Sequence, residues 1–200
     1  MIDAVVMAHG RQERLAAELG PKPKQALSLG LETILGRTLR LLRELGGIGR
    51  ITVCGPQLLR AFGDGVVHQH HVGDPDATLV GNMRAAAGDD AGAVPRLYLL
   101  GDVVWSRGSL KRVIGANDSP LFFGRIGANA YTRKPYGELF GARVAPDELG
   151  AHGACKLLWE LKAAMVAPML FVYDWTDDVD TREDFVERFP LLCAFAAADP

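Results

Sequence analysis

The sequence predicts an α/β protein: a single Rossmann-like domain with three layers, α/β/α, around a mixed but mostly parallel sheet. Three observations lead there. Short apolar runs without polar alternation, such as residues 3–8, have the character of strands buried on both faces. Segments with apolar residues at helical spacing fall between them, joined by short turns rich in Gly, Pro and Asp. This β-α-β rhythm calls for parallel strands with crossover helices on both faces. A chain of 200 residues with 48% hydrophobic content can form one domain with a full core.

The elements follow in order. Residues 3–8 are the first strand, and they feed a turn, His9-Gly10-Arg11-Gln12-Glu13-Arg14-Leu15, with Pro23-Lys24-Gln25 soon after. Such a strand-to-turn step places backbone N–H groups and cations at the C-terminal edge of a sheet. That edge is where open α/β sheets bind phosphorylated ligands. Residues 32–45 put Ile34, Leu35, Thr38, Leu39, Leu42 and Leu45 on one helical face, and Gly46-Gly47 stops the run. Ile51–Cys54 is a second strand closed by Gly55-Pro56, and Leu58–Phe62 is a short helix or turn. Residues 66–71 are a third strand, followed by a turn and a helix from about Thr78 to Ala87. Arg96–Leu100 is the strand expected at the centre, and Ser109–Ile114 a short helix.

The pattern then changes. Pro120–Gly124 and Glu138–Val144 are strands flanking a polar loop, Ala128–Gly137. Pro146-Asp147-Glu148 opens a helix expected to run to about Val166, and Met169–Tyr173 is a late strand. Residues 178–184 open the final helix, with Asp180 or Thr181 as N-cap and an acidic residue in its first turn. No internal repeat or interdomain linker interrupts the chain.

Charge and composition exclude several classes. A net charge of −2 with no overall basic bias argues against a nucleic-acid partner. No apolar run approaches the ~20 residues that cross a bilayer, and the N-terminal run, with Asp3, is not a signal peptide. Cys54, Cys155 and Cys193 show no metal-ligand spacing and suit reduced thiols. A soluble, cytoplasmic protein is expected. His68 and His70 fall on one face of a strand and His71 on the other, with no further ligand at zinc spacing.

Several segments together resemble the nucleotidyltransferases of the GT-A-like α/β fold, the group of sugar-1-phosphate, CMP-sugar-acid and molybdopterin nucleotidyltransferases. Ala8-His9-Gly10 is similar to that family's opening Ala-Ala-Gly, Arg14-Leu15 to its Arg-Met/Leu, and Pro23-Lys24 to its Pro-Lys. Glu32 to Leu39 resembles the start of its first long helix, and Leu99-Leu100-Gly101-Asp102-Val103 its strand ending in a metal-binding Asp. Asp178-Val179-Asp180-Thr181-Arg182-Glu183-Asp184 resembles its late acidic signature, with Arg182 where Pro is usual. The loop differs at Gln12 and Glu13, where the family usually has Gly and a small hydroxyl residue.

The resemblance implies the GT-A-like fold and an enzyme that transfers an NMP group from an NTP to a phosphorylated, sugar-1-phosphate-like acceptor, releasing pyrophosphate. Lys24, Arg14 and Asp102 are then the catalytic group, with Lys24 near the α-phosphate and Arg14 on the β/γ-phosphates. Asp102 and Asp180 are the expected Mg²⁺ ligands, with Asp178 the alternative to Asp180. The nucleotide is assigned to Ala8, His9, Gly10, Arg11, Thr78, Asn82 and Asp102, all in or near a donor half spanning 1–115. The acceptor is assigned to the half spanning 116–200. There Arg125, Asn129, Tyr131, Thr132, Arg133, Lys134 and Tyr136 form a basic, aromatic loop, with Arg133, Lys134 and Trp175 as acceptor-binding residues. The expected partners are an NTP and a small phosphorylated acceptor, with neither nucleic acid nor membrane. Oligomeric state stays open, a homodimer being one option.

Two other readings stand beside this one. A GT-A glycosyltransferase using a nucleotide-sugar would show Asp-x-Asp at the central strand end, whereas this chain has Asp102-Val103-Val104. A non-catalytic nucleotide-binding relative is the reading that Gln12 and Glu13 favour, and joint retention of Lys24, Asp102 and Asp180 opposes it.

Overall fold

The computed structural model describes residues 1–8, 15–20, 22–55, 67–70, 78–88 and 94–199. The expected segment 58–62 and His71 lie outside these residues. The strands are β1 (Ile2–Met7), β2 (Ile48–Gly55), β3 (Val67–His70), β4 (Arg96–Leu100), β5 (Val103–Val104), β6 (Leu121–Arg125), β7 (Glu138–Val144), β8 (Met169–Phe171) and β9 (Asp177–Asp178). The helices are α1 (Ala16–Leu19), α2 (Ile34–Leu45), α3 (Leu79–Ala87), α4 (Arg107–Gly115), α5 (Leu158–Met165) and α6 (Phe189–Ala198). Among the described residues no helix is long and apolar enough to cross a membrane.

Seven strands form one sheet in the order β3-β2-β1-β4-β7-β6-β8. Strand β7 runs against both its neighbours, and the other pairings are parallel. The mixed, mostly parallel sheet read from the sequence is therefore present. Its apolar runs lack alternation because both faces are covered. Ala4, Val6, Leu97 and Leu99 enter one core cluster with Leu35, Leu39 and Leu42 of α2. Val5, Met7 and Tyr98 enter the other with Val80 and Met83 of α3 and Leu158 and Leu161 of α5.

Strand order decides where a ligand can sit. From β1 the chain moves to β2 on one side, and β4 lies on β1's other side. This is a switch point, and the crevice it opens lies beyond the carboxyl ends of β1 and β4. Gly101 closes that junction. Its N–H donates to Met7 O at 2.8 Å, and a Cβ there would lie 3.0 Å from that oxygen and 3.1 Å from Ala8 Cα.

The antiparallel strand is packed just as closely. A Cβ on Gly124 of β6 would lie 2.9 Å from Leu139 Cα and press on the Glu138 carbonyl. Gly124→Ala is expected to cost about 1–3 kcal/mol through backbone displacement. Urea denaturation checks this; an unchanged midpoint would show that the two strands can part freely.

Helix boundaries follow local capping. Thr33 caps α2 by accepting from Gly36 N at 3.0 Å, so the helix begins two residues after Glu32, and Gly46 and Gly47 end the run at φ 70° and 78°. The single helix expected over 146–166 is instead two pieces, a 3-10 turn at Glu148–His152 and α5. Glu148 turns back to accept from Ala145 N at 2.9 Å. Glu160 accepts from Lys156 N at 2.6 Å and Leu157 N at 3.2 Å, which starts a fresh helix. Thr181 is the N-cap of the last helical segment: it accepts from Asp184 N at 3.1 Å, while Asp184 accepts from Thr181 N at 2.9 Å. The helical run after Thr181 contains a π-helical turn, Asp184–Arg188, that leads into α6.

Candidate active site

A two-residue ribbon assembles the site. Strands β5 and β9 pair antiparallel, Val103 opposite Asp178 and Val104 opposite Asp177. Asp102 precedes β5, and Asp180 lies two residues past β9. The antiparallel register therefore brings both to the same end of the ribbon, at the exit of β4. The capping exchange between Thr181 and Asp184 fixes the backbone there, since Asp184 also accepts from Asp180 N at 3.1 Å.

Lys24 meets both acids. It sits in a 3-10 turn, Lys24–Ala26, held by Ala26 N to Pro23 O and Leu27 N to Lys24 O, each 2.9 Å. Its Nζ donates to Asp102 Oδ2 at 2.5 Å and to Asp180 Oδ1 at 2.6 Å. Burial alone would lower the ammonium's pKa, but Asp102 and Asp180 outweigh it and hold it above the ordinary lysine value. Burial alone would likewise raise Asp180, but Lys24 and then Lys134 hold it below the ordinary carboxylate value. Lys24 and Asp180 therefore both stay charged at neutral pH.

Beneath this triad lies a second ionic layer. Lys134, wholly buried, donates to Asp178 Oδ1. Glu138 lies 3.4 Å away, Asp184 3.6 Å and Asp177 3.8 Å. Burial would lower the Lys134 pKa, but Asp178 and Asp177 hold it high. Burial pushes Asp178 well up, with Lys134 opposing and Asp180 and Glu138 adding to the rise. Glu138 is raised too, by burial and by Asp180, against Lys134. One carboxylate oxygen each of Glu138, Asp178 and Asp180 lie within 4.8 Å of one another, a donor set that could also hold a cation.

The polar loop divides into inward and outward residues. Arg125 pairs with Asp177 at 2.9 Å, Thr132 Oγ1 donates to Asp177, and Asn129 Nδ2 donates to Asp177 Oδ2 at 3.3 Å. Asn129 Oδ1 also accepts from Tyr131 N at 2.9 Å and Thr132 N at 3.3 Å. Arg125, Asn129, Thr132 and Lys134 thus build the floor of the site, whereas Tyr131, Arg133 and Tyr136 face solvent. Arg133 adopts a left-handed φ of 63° that turns the chain between these two sets.

The other expected residues lie further out. Trp175 packs toward α6, stacked on Phe195 with centroids 5.9 Å apart and under the Arg37 guanidinium at 5.4 Å. Thr78 caps α3, accepting from Gly81 N at 3.0 Å and donating to Gly153 O at 2.7 Å. Asn82 lies one turn on, and its buried Oδ1 has no partner among the described residues. Ala8 is buried at the end of β1 against Gly101. His9, Gly10, Arg11, Gln12, Glu13 and Arg14 lie outside the described residues. Glu138 carries no role in the sequence analysis; its signal is its place at the start of β7, opposite Arg125.

No protein-family model matches the sequence, and no curated protein matches it. Solved structures do. The chain is similar to a candidate glucose-1-phosphate thymidylyltransferase from Bacillus anthracis, whose structure holds sucrose. The TM-score is 0.70 at 15% identity, over 98% of this chain and 95% of that one. It is similar to a nucleotidyl transferase from Methanothermobacter, with TM-score 0.63 and 22% identity over 97% and 99% of the two chains. It is also similar to the inositol-1-phosphate CTP transferase from T. maritima, with TM-score 0.64 and 12% identity over 96% and 95%. At these identities the likeness concerns the fold.

Proposed function

We propose, from a chain that has the GT-A-like nucleotidyltransferase fold, that this protein transfers an NMP group from an NTP to a small phosphorylated acceptor. The observation that carries this reading is the convergence of Lys24, Asp102 and Asp180 at the β1/β4 crevice. Lys24 is 78 residues from Asp102 and 156 from Asp180. Helix capping and turn formation need no such meeting of three charged side chains from three distant segments.

In the reaction an acceptor phosphate oxygen attacks the α-phosphorus. The bond from the α-phosphorus to the bridging oxygen breaks, and pyrophosphate leaves with that electron pair. Negative charge gathers on the non-bridging oxygens and the leaving group, so positioned cations lower the barrier. Lys24 brings one such charge on a flexible stem, and Arg14 is assigned to the β/γ-phosphates. The donor is assigned to the half spanning 1–115. In the other half Arg133 and Tyr136 face solvent on the loop whose floor borders Asp178 and Asp180, a position suited to a phosphorylated acceptor. The Asn82 Oδ1, without a partner among the described residues, suits a hydrogen bond from an amino or imino group of the base.

The residues also fit a divalent cation. Asp102 and Asp180 already share one cationic group, the Lys24 ammonium, and carboxylate oxygens are the hard donors that Mg²⁺ prefers. When bound there, Mg²⁺ would neutralise charge developing at the α-phosphate. An NTP donor and unpaired Cys54, Cys155 and Cys193 suit a cytoplasmic setting.

Pyrophosphate release with each of the four NTPs, against a panel of sugar-1-phosphates, CTP acceptors and molybdopterin, tests the reading. Turnover is expected with one donor–acceptor pairing and only with divalent metal present. NTP binding with no turnover across the panel would replace this reading with a non-catalytic relative.

A further inference from the structure

The position of Lys24 conflicts with both tasks assigned around it. A lysine serving the α-phosphate must reach into the crevice, yet its Nζ lies between Asp102 Oδ2 and Asp180 Oδ1 at 2.5 and 2.6 Å. A divalent cation held by the same pair needs those oxygens at about 2.0–2.1 Å for Mg²⁺. An ammonium and a metal ion cannot both lie between the same two oxygens.

We propose that Lys24 is an exchangeable internal cation: it occupies the Asp102–Asp180 seat in the resting protein, and a divalent metal enters that seat only as Lys24 leaves it. The inference rests on the metal pair of the proposed function. Three features carry it. The ammonium bridges carboxylates from two separate segments, so it is a charge stand-in and not a local cap. Lys24's backbone is pinned in its turn by Pro23 and Leu27, while the four-carbon stem remains the flexible part. The seat also borders Asp178 and Glu138, for which Lys134 is the ion-pair partner among the described residues, so an emptied seat would add two more unneutralised acids to this cluster and a replacement cation is favoured there.

The exchange has a consequence for the reaction. Metal binding and release of Lys24 are linked, and the linkage is reciprocal. The lysine becomes available to the phosphates only once another cation holds the two acids. In the resting state the bridge lowers apparent metal affinity by the fraction of molecules in which the seat is open.

Two measurements with Mn²⁺ alone, without nucleotide, test this. In titration calorimetry Lys24→Met is expected to bind Mn²⁺ at least about tenfold more tightly than wild type, as when an open fraction of a tenth becomes complete. A purely structural lysine predicts the opposite, since losing it would loosen the site. In the wild-type protein, acetylation of Lys24 followed by peptide mass spectrometry is expected to speed up severalfold on saturation with Mn²⁺. This second arm needs no variant, and it also separates release of the lysine from a simple loss of nearby charge. Equal or weaker Mn²⁺ binding by a folded Lys24→Met protein overturns the proposal, as does unchanged acetylation. Failure of both proteins to bind Mn²⁺ overturns it too. The pyrophosphate-release assay on the same preparations then decides separately whether nucleotidyl transfer stands.

Discussion

Asp102→Asn is expected to lower kcat for nucleotidyl transfer about 10³-fold or more while leaving the melting temperature within about 4 °C of wild type. The two halves of this expectation come from the same geometry. Asparagine keeps the shape of the side chain, and Gly101, the residue whose missing Cβ lets β4 close against Ala8, is untouched. Lys24 keeps its bond to Asp180 Oδ1 at 2.6 Å, so no cation is left buried without an acid. The folded state therefore loses one charged hydrogen bond, at a side chain that is 16% exposed, and little else. The chemistry loses one of two carboxylates placed to hold a divalent cation where charge develops. Pyrophosphate release gives kcat, and circular dichroism gives the melting curve. Wild-type turnover by a folded Asp102→Asn protein would remove Asp102 from the reaction.

The fold was legible where burial leaves a pattern. Strands β1 and β4 are covered on both faces, so their residues are apolar without alternation, and Gly46-Gly47 marks the end of α2 by chain chemistry alone. The β5–β9 ribbon was not legible, because two residues per strand leave no period to detect. Yet that ribbon is what sets Asp102 beside Asp180. The break between Glu148–His152 and α5 was hidden because apolar spacing continues across it. It is made by Glu148 and Glu160, which turn their carboxylates onto backbone N–H groups.

At the site, Lys24, Asp102 and Asp180 could be named from motif resemblance, since each ends or begins a recognisable element. Loop residues gave less. Arg133 and Lys134 are adjacent cations in one polar stretch, and composition treats them alike. The left-handed backbone at Arg133 sends one to solvent and the other beneath the acids. Trp175 reads as a pocket aromatic next to an acidic run, but Arg37 and Phe195 enclose it from the α6 side.

Lys134 is wholly buried beneath the site, and Lys134→Met is expected to destabilise the fold by about 3–5 kcal/mol at neutral pH. Its Nζ is within ion-pair reach of Asp177, Asp178, Glu138 and Asp184. Methionine fills the volume but leaves Asp178 and Glu138 without an ion-pair partner among the described residues in a desolvated pocket, while Asp177 keeps Arg125 and Asp184 keeps Arg188. The loss should depend on pH with a definite sign. Asp178 and Glu138 already titrate above the ordinary carboxylate value, with burial the main cause and Lys134 the main opposing one. Removing the lysine pushes both further up. A carboxyl whose folded pKa is raised contributes stability that is complete below its unfolded value, near about 4, and lost as pH rises through the folded value. Asp180 and Asp184 titrate below their ordinary values despite burial, partly because of Lys134. The stability they contribute is present above the unfolded pKa, so the variant forfeits it there and not in acid. The second pair is forfeited alike at pH 5 and pH 8, both above about 4, so the first pair sets the sign: the variant should lie closer to wild type at pH 5 than at pH 8. Urea denaturation at the two pH values measures this. An equal loss at both would mean that Lys134 supports the loop by packing, with the acids satisfied by Arg125, Thr132 and Asn129 without it.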